Sequence, residues 1–264
     1  MRSNRTAKVI AVSNQKGGGG KTTTTVNLAA SLAATEAKVL LIDMDPQGNA
    51  SSGLGIQKRD LAQSVYHTLI EMASISDCRL ETSFPYLDIV PSNNELAGAE
   101  IELVSEQDRE TRLRRALVEV RSEYDFILID CPPSLGLLTI NALAAADTVL
   151  IPLQCEYYAM EGLGDLLRTV QLIRGRLNRN LVPEGILLTM FDKRNRLSHV
   201  VSDEVRSLFG PKVFQTVIPR NVRLSECPSH GKPILSYDIR STGAQAYLTL
   251  AKEVLNRNAS LGAS

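Results

Sequence analysis

Lys16-Gly17-Gly18-Gly19-Gly20-Lys21-Thr22-Thr23 lies between an apolar, β-branched run, Val9 to Val12, and a helical pattern, Thr22 to Ala34. Strand, glycine loop and helix, in that order, form the layout that holds a nucleotide phosphate chain. Glycines let the backbone bend tightly and turn successive N–H groups inward, and the helix N-terminus adds a partial positive charge. In such a loop Lys21 reaches the β- and γ-phosphates and the Thr22 hydroxyl ligates Mg²⁺. The usual pattern places a glycine five positions before Gly20, where this chain has Gln15. A second lysine, Lys16, follows it instead.

Outward from the loop, strands are expected at Lys8–Ser13, Lys38–Asp43, Leu87–Pro91, Phe126–Asp130, Thr148–Leu153, Gly185–Met190 and Val213–Ile218. Several are nearly continuous apolar runs, the mark of strands buried on both faces of a mostly parallel sheet. Helical patterns separate them at Thr22–Ala34, Leu61–Met72, Asn94–Val104, Arg109–Arg121, Leu137–Ala146, Gly162–Leu177, His199–Phe209 and Ala244–Asn256. Alternation of this kind implies right-handed crossovers. The expected fold is α/β, a mostly parallel twisted sheet of about seven to eight strands with helices on both faces, of the P-loop NTPase type. One domain is expected over residues 1–264, with flexible ends at 1–7 and 259–264.

The 264 residues suffice for a sizeable core, and 29 basic side chains balance 29 acidic ones, so overall charge selects no partner. Cys78, Cys131, Cys155 and Cys227 are widely spaced and form no C-x-x-C pair, which argues against a disulfide framework or zinc site. The short polar start has no apolar signal core, and no apolar run reaches the roughly 18 residues of a spanning helix. A soluble, cytoplasmic protein is expected.

Ligands of such sheets bind at the carboxyl ends of the strands. The second strand ends in Asp43-Met44-Asp45-Pro46-Gln47-Gly48-Asn49 and the fourth in Asp130-Cys131-Pro132-Pro133-Ser134. Beside a phosphate loop, Asp130 suits Mg²⁺, held directly or through water. Asp43 and Asp45, two apart, face one side if the chain is extended. One suits a structural bond to Thr22 or to a water in the magnesium shell, and the other the attacking water; spacing leaves open which. Asn49, Ser51 and Ser52 read equally well as a solvated loop. Lys21 and the backbone amides already supply the phosphate contacts within one chain. A second lysine therefore makes most sense reaching phosphates bound by another copy, as a lysine counterpart of the arginine finger.

Together, Lys16-Gly-Gly-Gly-Gly-Lys21-Thr-Thr, Asp43-Met-Asp45-Pro-Gln-Gly-Asn-Ala, Asp130-Cys-Pro-Pro-Ser, Gln154-Cys-Glu-Tyr-Tyr-Ala, Ile218-Pro-Arg-Asn-Val-Arg-Leu-Ser-Glu and Pro228-Ser-His-Gly-Lys-Pro resemble a ParA/Soj-type chromosome-partitioning ATPase. The likeness runs from about Lys8 to Asn256. It implies ATP and Mg²⁺ as cofactors and an ATP-bound sandwich homodimer. It assigns Lys16 to the cross-subunit contact, Lys21 to the phosphates, Thr22 to Mg²⁺, Asp45 to water activation and Asp130 to the magnesium shell. Pro219 and Asn221 fall where the family contacts adenine, and Arg220 between them is a further nucleotide-binding candidate. One departure stands out: Gly19 replaces the usual valine, which removes a side chain from beneath the loop and adds conformational freedom.

Between Lys193 and Arg240 nine Lys/Arg face four Asp/Glu, a positive segment in a neutral chain. The resemblance turns this bias into an expectation of non-specific double-stranded DNA binding on the nucleoid, with Arg194 and Arg223 at the DNA-contacting positions. It also implies a ParB-like centromere-binding partner that stimulates hydrolysis. With no room for a helix-turn-helix before the loop, contacts to backbone phosphates and little base discrimination are expected. The runner-up is a membrane-cycling regulator like MinD, which needs a basic amphipathic C-terminal helix. Residues Ala244–Asn256 read instead as a core-docking helix, so no membrane partner is expected. A third class, resembling the nitrogenase iron protein, needs paired cysteines, and Cys131 has no convincing second ligand.

Overall fold

The computed structural model describes residues 6–156 and 159–261. Residues 1–5, 262–264 and the Tyr157-Tyr158 pair of the Gln154–Ala159 motif lie outside them. Ala7, expected in a flexible end, is buried, and its N–H donates to the Arg121 carbonyl at 2.7 Å. At the other end the last helix runs from Thr242 to Leu261, into the segment expected to fray.

Seven strands form one sheet: β1 (Lys8–Val12), β2 (Val39–Asp43), β3 (Leu80–Glu81), β4 (Leu87–Val90), β5 (Phe126–Asp130), β6 (Thr148–Gln154) and β7 (Val182–Thr189). Their spatial order is β3-β4-β2-β5-β1-β6-β7, and all pairings are parallel except that of the exposed two-residue β3 with β4. The apolar runs are continuous because successive side chains feed opposite faces. Val9, Ala11, Leu40, Ile42, Ile127 and Ile129 enter one core layer. Ile10, Val12, Val39, Leu41, Leu128 and Leu150 enter the other, with the helix Lys21–Ala33 and the final helix.

Val213–Ile218, expected as a strand, is not one. Its ends make single parallel bridges, Ile186 with Val213 and Phe191 with Pro219. Between them Phe214 and Ile218 N–H still donate to the Ile186 and Leu188 carbonyls, each at 2.9 Å, but the N–H groups of Gln215 and Thr216 donate to the Glu253 carboxylate at 2.8 and 2.9 Å. At those two residues a side-chain acceptor on the last helix thus takes the place of a β7 carbonyl and interrupts the ladder. Four short helices were not anticipated: Asn49–Gly53, Ile75–Cys78, Val222–Glu226 and Ile234–Tyr237. Each spans five residues or fewer, too short for periodicity to register.

β5 is the central strand and β1 lies beside it, between β5 and β6, so the loops after β1, β2, β5 and β7 meet at one carboxyl edge. The site lies there.

Candidate functional site

The glycine loop turns into its helix through Gly20, whose φ of 85° is left-handed, and Gly18 at 75° makes the preceding turn. Lys21 follows at the first helical position. Its side chain is buried and folds back along the loop, so that Nζ donates to the Lys16 carbonyl at 3.1 Å. Burial lowers the pKa of this ammonium, with the nearby Asp130 charge the largest opposing influence. The loop is also held from the side: Thr189, the last residue of β7, donates from its hydroxyl to the Gly19 carbonyl at 3.0 Å.

Asp130 ends β5, beside Asp43 at the end of β2 in parallel register. Both are fully buried. Thr22 Oγ1 donates to Asp130 Oδ2 and Thr25 Oγ1 to Oδ1, each at 2.8 Å. Burial, reinforced by the Asp43 charge, pushes the Asp130 carboxyl up to about 8 against those two hydrogen bonds. Asp43 is pushed up to about 6, again mainly by burial, and is restrained by three donors: Ser51 N–H at 2.8 Å, Ser51 Oγ at 2.7 Å and Asp45 N–H at 3.2 Å.

These contacts separate the two aspartates of the Asp43–Asn49 segment. The strand ends at Asp43, so the alternation expected to carry Asp45 onto the same side stops there. Asp43 bonds neither Thr22 nor the open basin, as a structural or metal-side role would require; it knots the loop by holding Ser51. Thr22 belongs to Asp130. Ser51, for which a solvated loop is one of two equal readings, is buried in the helix Asn49–Gly53 and accepts in turn from Ser92 N–H at 3.0 Å. Asp45 accepts from Gln47 N–H at 2.9 Å and lines the basin.

That basin, about 580 Å³, is walled by Gly17, Gly18, Lys21, Thr22, Asp45 and Pro133 among others. A second cavity of about 480 Å³ continues from it, sharing Gly20, Thr23 and Met190. Pro219, Arg220 and Asn221 line the second cavity, with Tyr247 and Pro228. Asn221 builds this wall rather than presenting a free amide: its Oδ1 caps the helix Val222–Glu226 from Leu224 N–H at 3.3 Å, and its Nδ2 donates to Thr242 Oγ1 at 2.8 Å. A groove with phosphate-loop amides at one end and a half-apolar recess at the other has the shape of a nucleoside triphosphate. The Thr22 hydroxyl and Asp130 carboxylate are hard oxygen donors that suit Mg²⁺. Among the described residues no three carboxylate, His or Cys side chains gather to hold a metal unaided. Mg²⁺ bound with phosphates needs only one or two such ligands.

Lys16 and Lys21 have different partners. Its ammonium pairs with the Glu156 carboxylate just past β6. Arg194 is exposed, and Arg223 is half-exposed, pairing with Glu226 at 3.0 Å and Asp238 at 3.6 Å. Sequence reading missed Thr189, Met190, Tyr247 and Glu156. Of these, Glu156 stood inside the quoted Gln154–Ala159 motif and Met190 at the carboxyl end of an expected strand; Met190 adopts a left-handed φ of 50° at the junction of the two cavities.

A family profile described as an AAA domain matches residues 7–182. The sporulation initiation inhibitor protein Soj of Bacillus subtilis is 60% identical over 94% of this chain and 98% of its own. The chromosome partitioning protein ParA of Myxococcus xanthus is 57% identical over 95% of this chain and 89% of its own. Among solved structures, cobyrinic acid a,c-diamide synthase from Mycobacterium smegmatis, with bound ADP and magnesium, superposes with a TM-score of 0.85 at 37% identity, covering 96% of both chains. The cell division ATPase MinD of Pyrococcus furiosus gives 0.76 at 25% identity, over 95% of this chain and 99% of its own. More than half of all positions are thus shared with partitioning proteins along nearly the full length, and the chain belongs to the ParA/Soj family of chromosome-partitioning ATPases.

Proposed function

We propose that this protein is an ATP-operated DNA segregation switch of the cytoplasm and nucleoid. ATP with Mg²⁺ occupies the paired cavities, and two loaded chains close face to face as a homodimer. The dimer binds double-stranded DNA without sequence preference, and a ParB-like partner triggers hydrolysis and release. The observation that carries this reading is the convergence of Lys21, Thr22 and Asp45 on one continuous groove, with Asp130 buried directly behind the Thr22 hydroxyl.

In this reading Lys21 swings from the Lys16 carbonyl to the β- and γ-phosphates. Thr22 and Asp130 hold Mg²⁺, Asp130 directly or through water. Bound there, Mg²⁺ would neutralise charge on the phosphate oxygens. Asp45 accepts the proton of the attacking water, and Lys16 reaches across the dimer to the partner's phosphates. Pro219, Arg220 and Asn221 border the base. Arg194 and Arg223 contact DNA phosphates, an interaction that weakens steeply with salt.

The final helix supports a DNA-bound rather than membrane-bound cycle. Its apolar residues Ala244, Tyr247, Leu250, Ala251 and Val254 are buried in the core layer shared with the helix Lys21–Ala33, leaving that face none to offer a bilayer.

DNA binding should be measured with ATP, ADP and no nucleotide, with dimerisation followed on the same samples. DNA affinity and dimer fraction are expected to rise together with ATP alone. Arg223→Glu is expected to abolish DNA binding while leaving the ATP-dependent dimer intact. Loss of both together, or DNA binding indifferent to nucleotide, would refute the reading.

A further inference from the structure

Lys16 is held within its own chain by a built contact. Its ammonium meets one carboxylate oxygen of Glu156, and the other oxygen accepts from the Gln154 side-chain amide. Gln154 is the last residue of β6 and sits opposite Thr189 in β7. Thr189 in turn anchors the Gly19 carbonyl, and Cys155 N–H reaches the Thr189 carbonyl at 3.4 Å. The loop is therefore fastened to the β6–β7 edge twice, at Gly19 through Thr189 and at Lys16 through Glu156. Asn14 completes the clasp, accepting from Lys16 N–H at 3.1 Å and donating to the Pro152 carbonyl of β6.

We infer that Glu156 is the positioning residue of Lys16 and a competitor for it. It keeps the ammonium on its own chain, and dimer closure exchanges that carboxylate for phosphate oxygens of the other subunit's nucleotide. This rests on the proposed cross-subunit role of Lys16. An anion already paired to the lysine raises the threshold for closure, so singly loaded or weakly bound chains stay apart. Both partners are partly exposed, their side chains 37% and 46% accessible. Such a pair resists release only modestly, by about 1.4- to fivefold in equilibrium constant. Each dimer breaks two pairs, so the effect on the dimerisation constant is the square, about two- to 25-fold.

The test uses the full chain with ATP and Mg²⁺, following dimer fraction by sedimentation against protein concentration. Glu156→Gln, which keeps the shape and removes the charge, is expected to tighten dimerisation by that factor and to make it less sensitive to salt. Glu156→Asp is expected to restore the parent behaviour in part. In a Lys16→Ala background Glu156→Gln is expected to change nothing, since the competition needs both partners. A Glu156→Gln protein that dimerises no more tightly than the parent, or that does so equally with Lys16 absent, overturns the inference. If instead Lys16→Ala alone hydrolyses ATP at the parent rate, the cross-subunit role fails, an outcome read separately.

Discussion

Thr22 Oγ1 donates to Asp130 Oδ2 at 2.8 Å across 108 residues of sequence, joining the first turn of the phosphate-loop helix to the end of the central strand β5. This bond sets the oxygen pair that suits Mg²⁺, and it holds a buried carboxyl beside a second one, Asp43. Among the described residues, no cationic side chain pairs with either.

That arrangement has a pH signature. Asp130, pushed up to about 8, and Asp43, pushed up to about 6, hold their protons to higher pH in the folded chain than in the unfolded one. Between about pH 4 and pH 8 the folded state therefore binds more protons, so stability falls as pH rises. The urea midpoint of protein free of nucleotide and Mg²⁺ is expected to drop from pH 5 to pH 8, and Asp130→Asn to remove the larger part of that drop. An identical slope in parent and variant would show that Asp130 is not the group responsible.

Lys21 predicts opposite effects on stability and binding. Burial depresses its pKa, so the ammonium is a cost to the folded chain that only bound phosphate repays. Lys21→Met keeps the stem and removes the charge. It is expected to raise stability without nucleotide by on the order of 1 kcal/mol and to weaken ATP binding by roughly 10- to 150-fold, the loss of charge-assisted hydrogen bonds. Thermal melts and fluorescent-nucleotide titration check both arms. A variant that loses stability and affinity together would mean that the lysine is a packing element.

Two neighbouring glycines in the loop are expected to respond differently. Gly20 caps the helix at φ 85°, and a side chain there meets the left-handed penalty, so Gly20→Ala is expected to cost about 1–2 kcal/mol. Gly19 has no left-handed φ, and a β-carbon on it would stand 3.3 Å from Asn14 Nδ2. Asn14, held by Lys16 N–H and the Pro152 carbonyl, has to give by a few tenths of an ångström, a cost offset by the reduced freedom of the unfolded loop. Gly19→Val is therefore expected to stay within about 1 kcal/mol of the parent. Chemical denaturation of the two variants side by side decides; a larger loss for Gly19→Val than for Gly20→Ala would reverse the ranking.

The amino-acid sequence by itself determined the phosphate loop, the buried parallel strands around it and the acidic residues at their ends. These signals are local: glycine spacing, period-two burial and a strand's last residue can be read within a dozen positions. Tertiary structure alone decided what each acidic residue does. Asp43 and Asp45 look equivalent two apart, yet the strand stops between them, so one is spent on Ser51 and the other faces the basin. It also decided that Gln215 and Thr216, in the middle of Val213–Ile218, give their amides to Glu253 instead of to a strand. The lysine that departs from the common loop pattern is tied to Glu156, 140 residues away, and Tyr247 touches Thr24 at 3.2 Å across 223 residues. Partners this distant are chosen by strand order and side-chain direction, which no local pattern encodes.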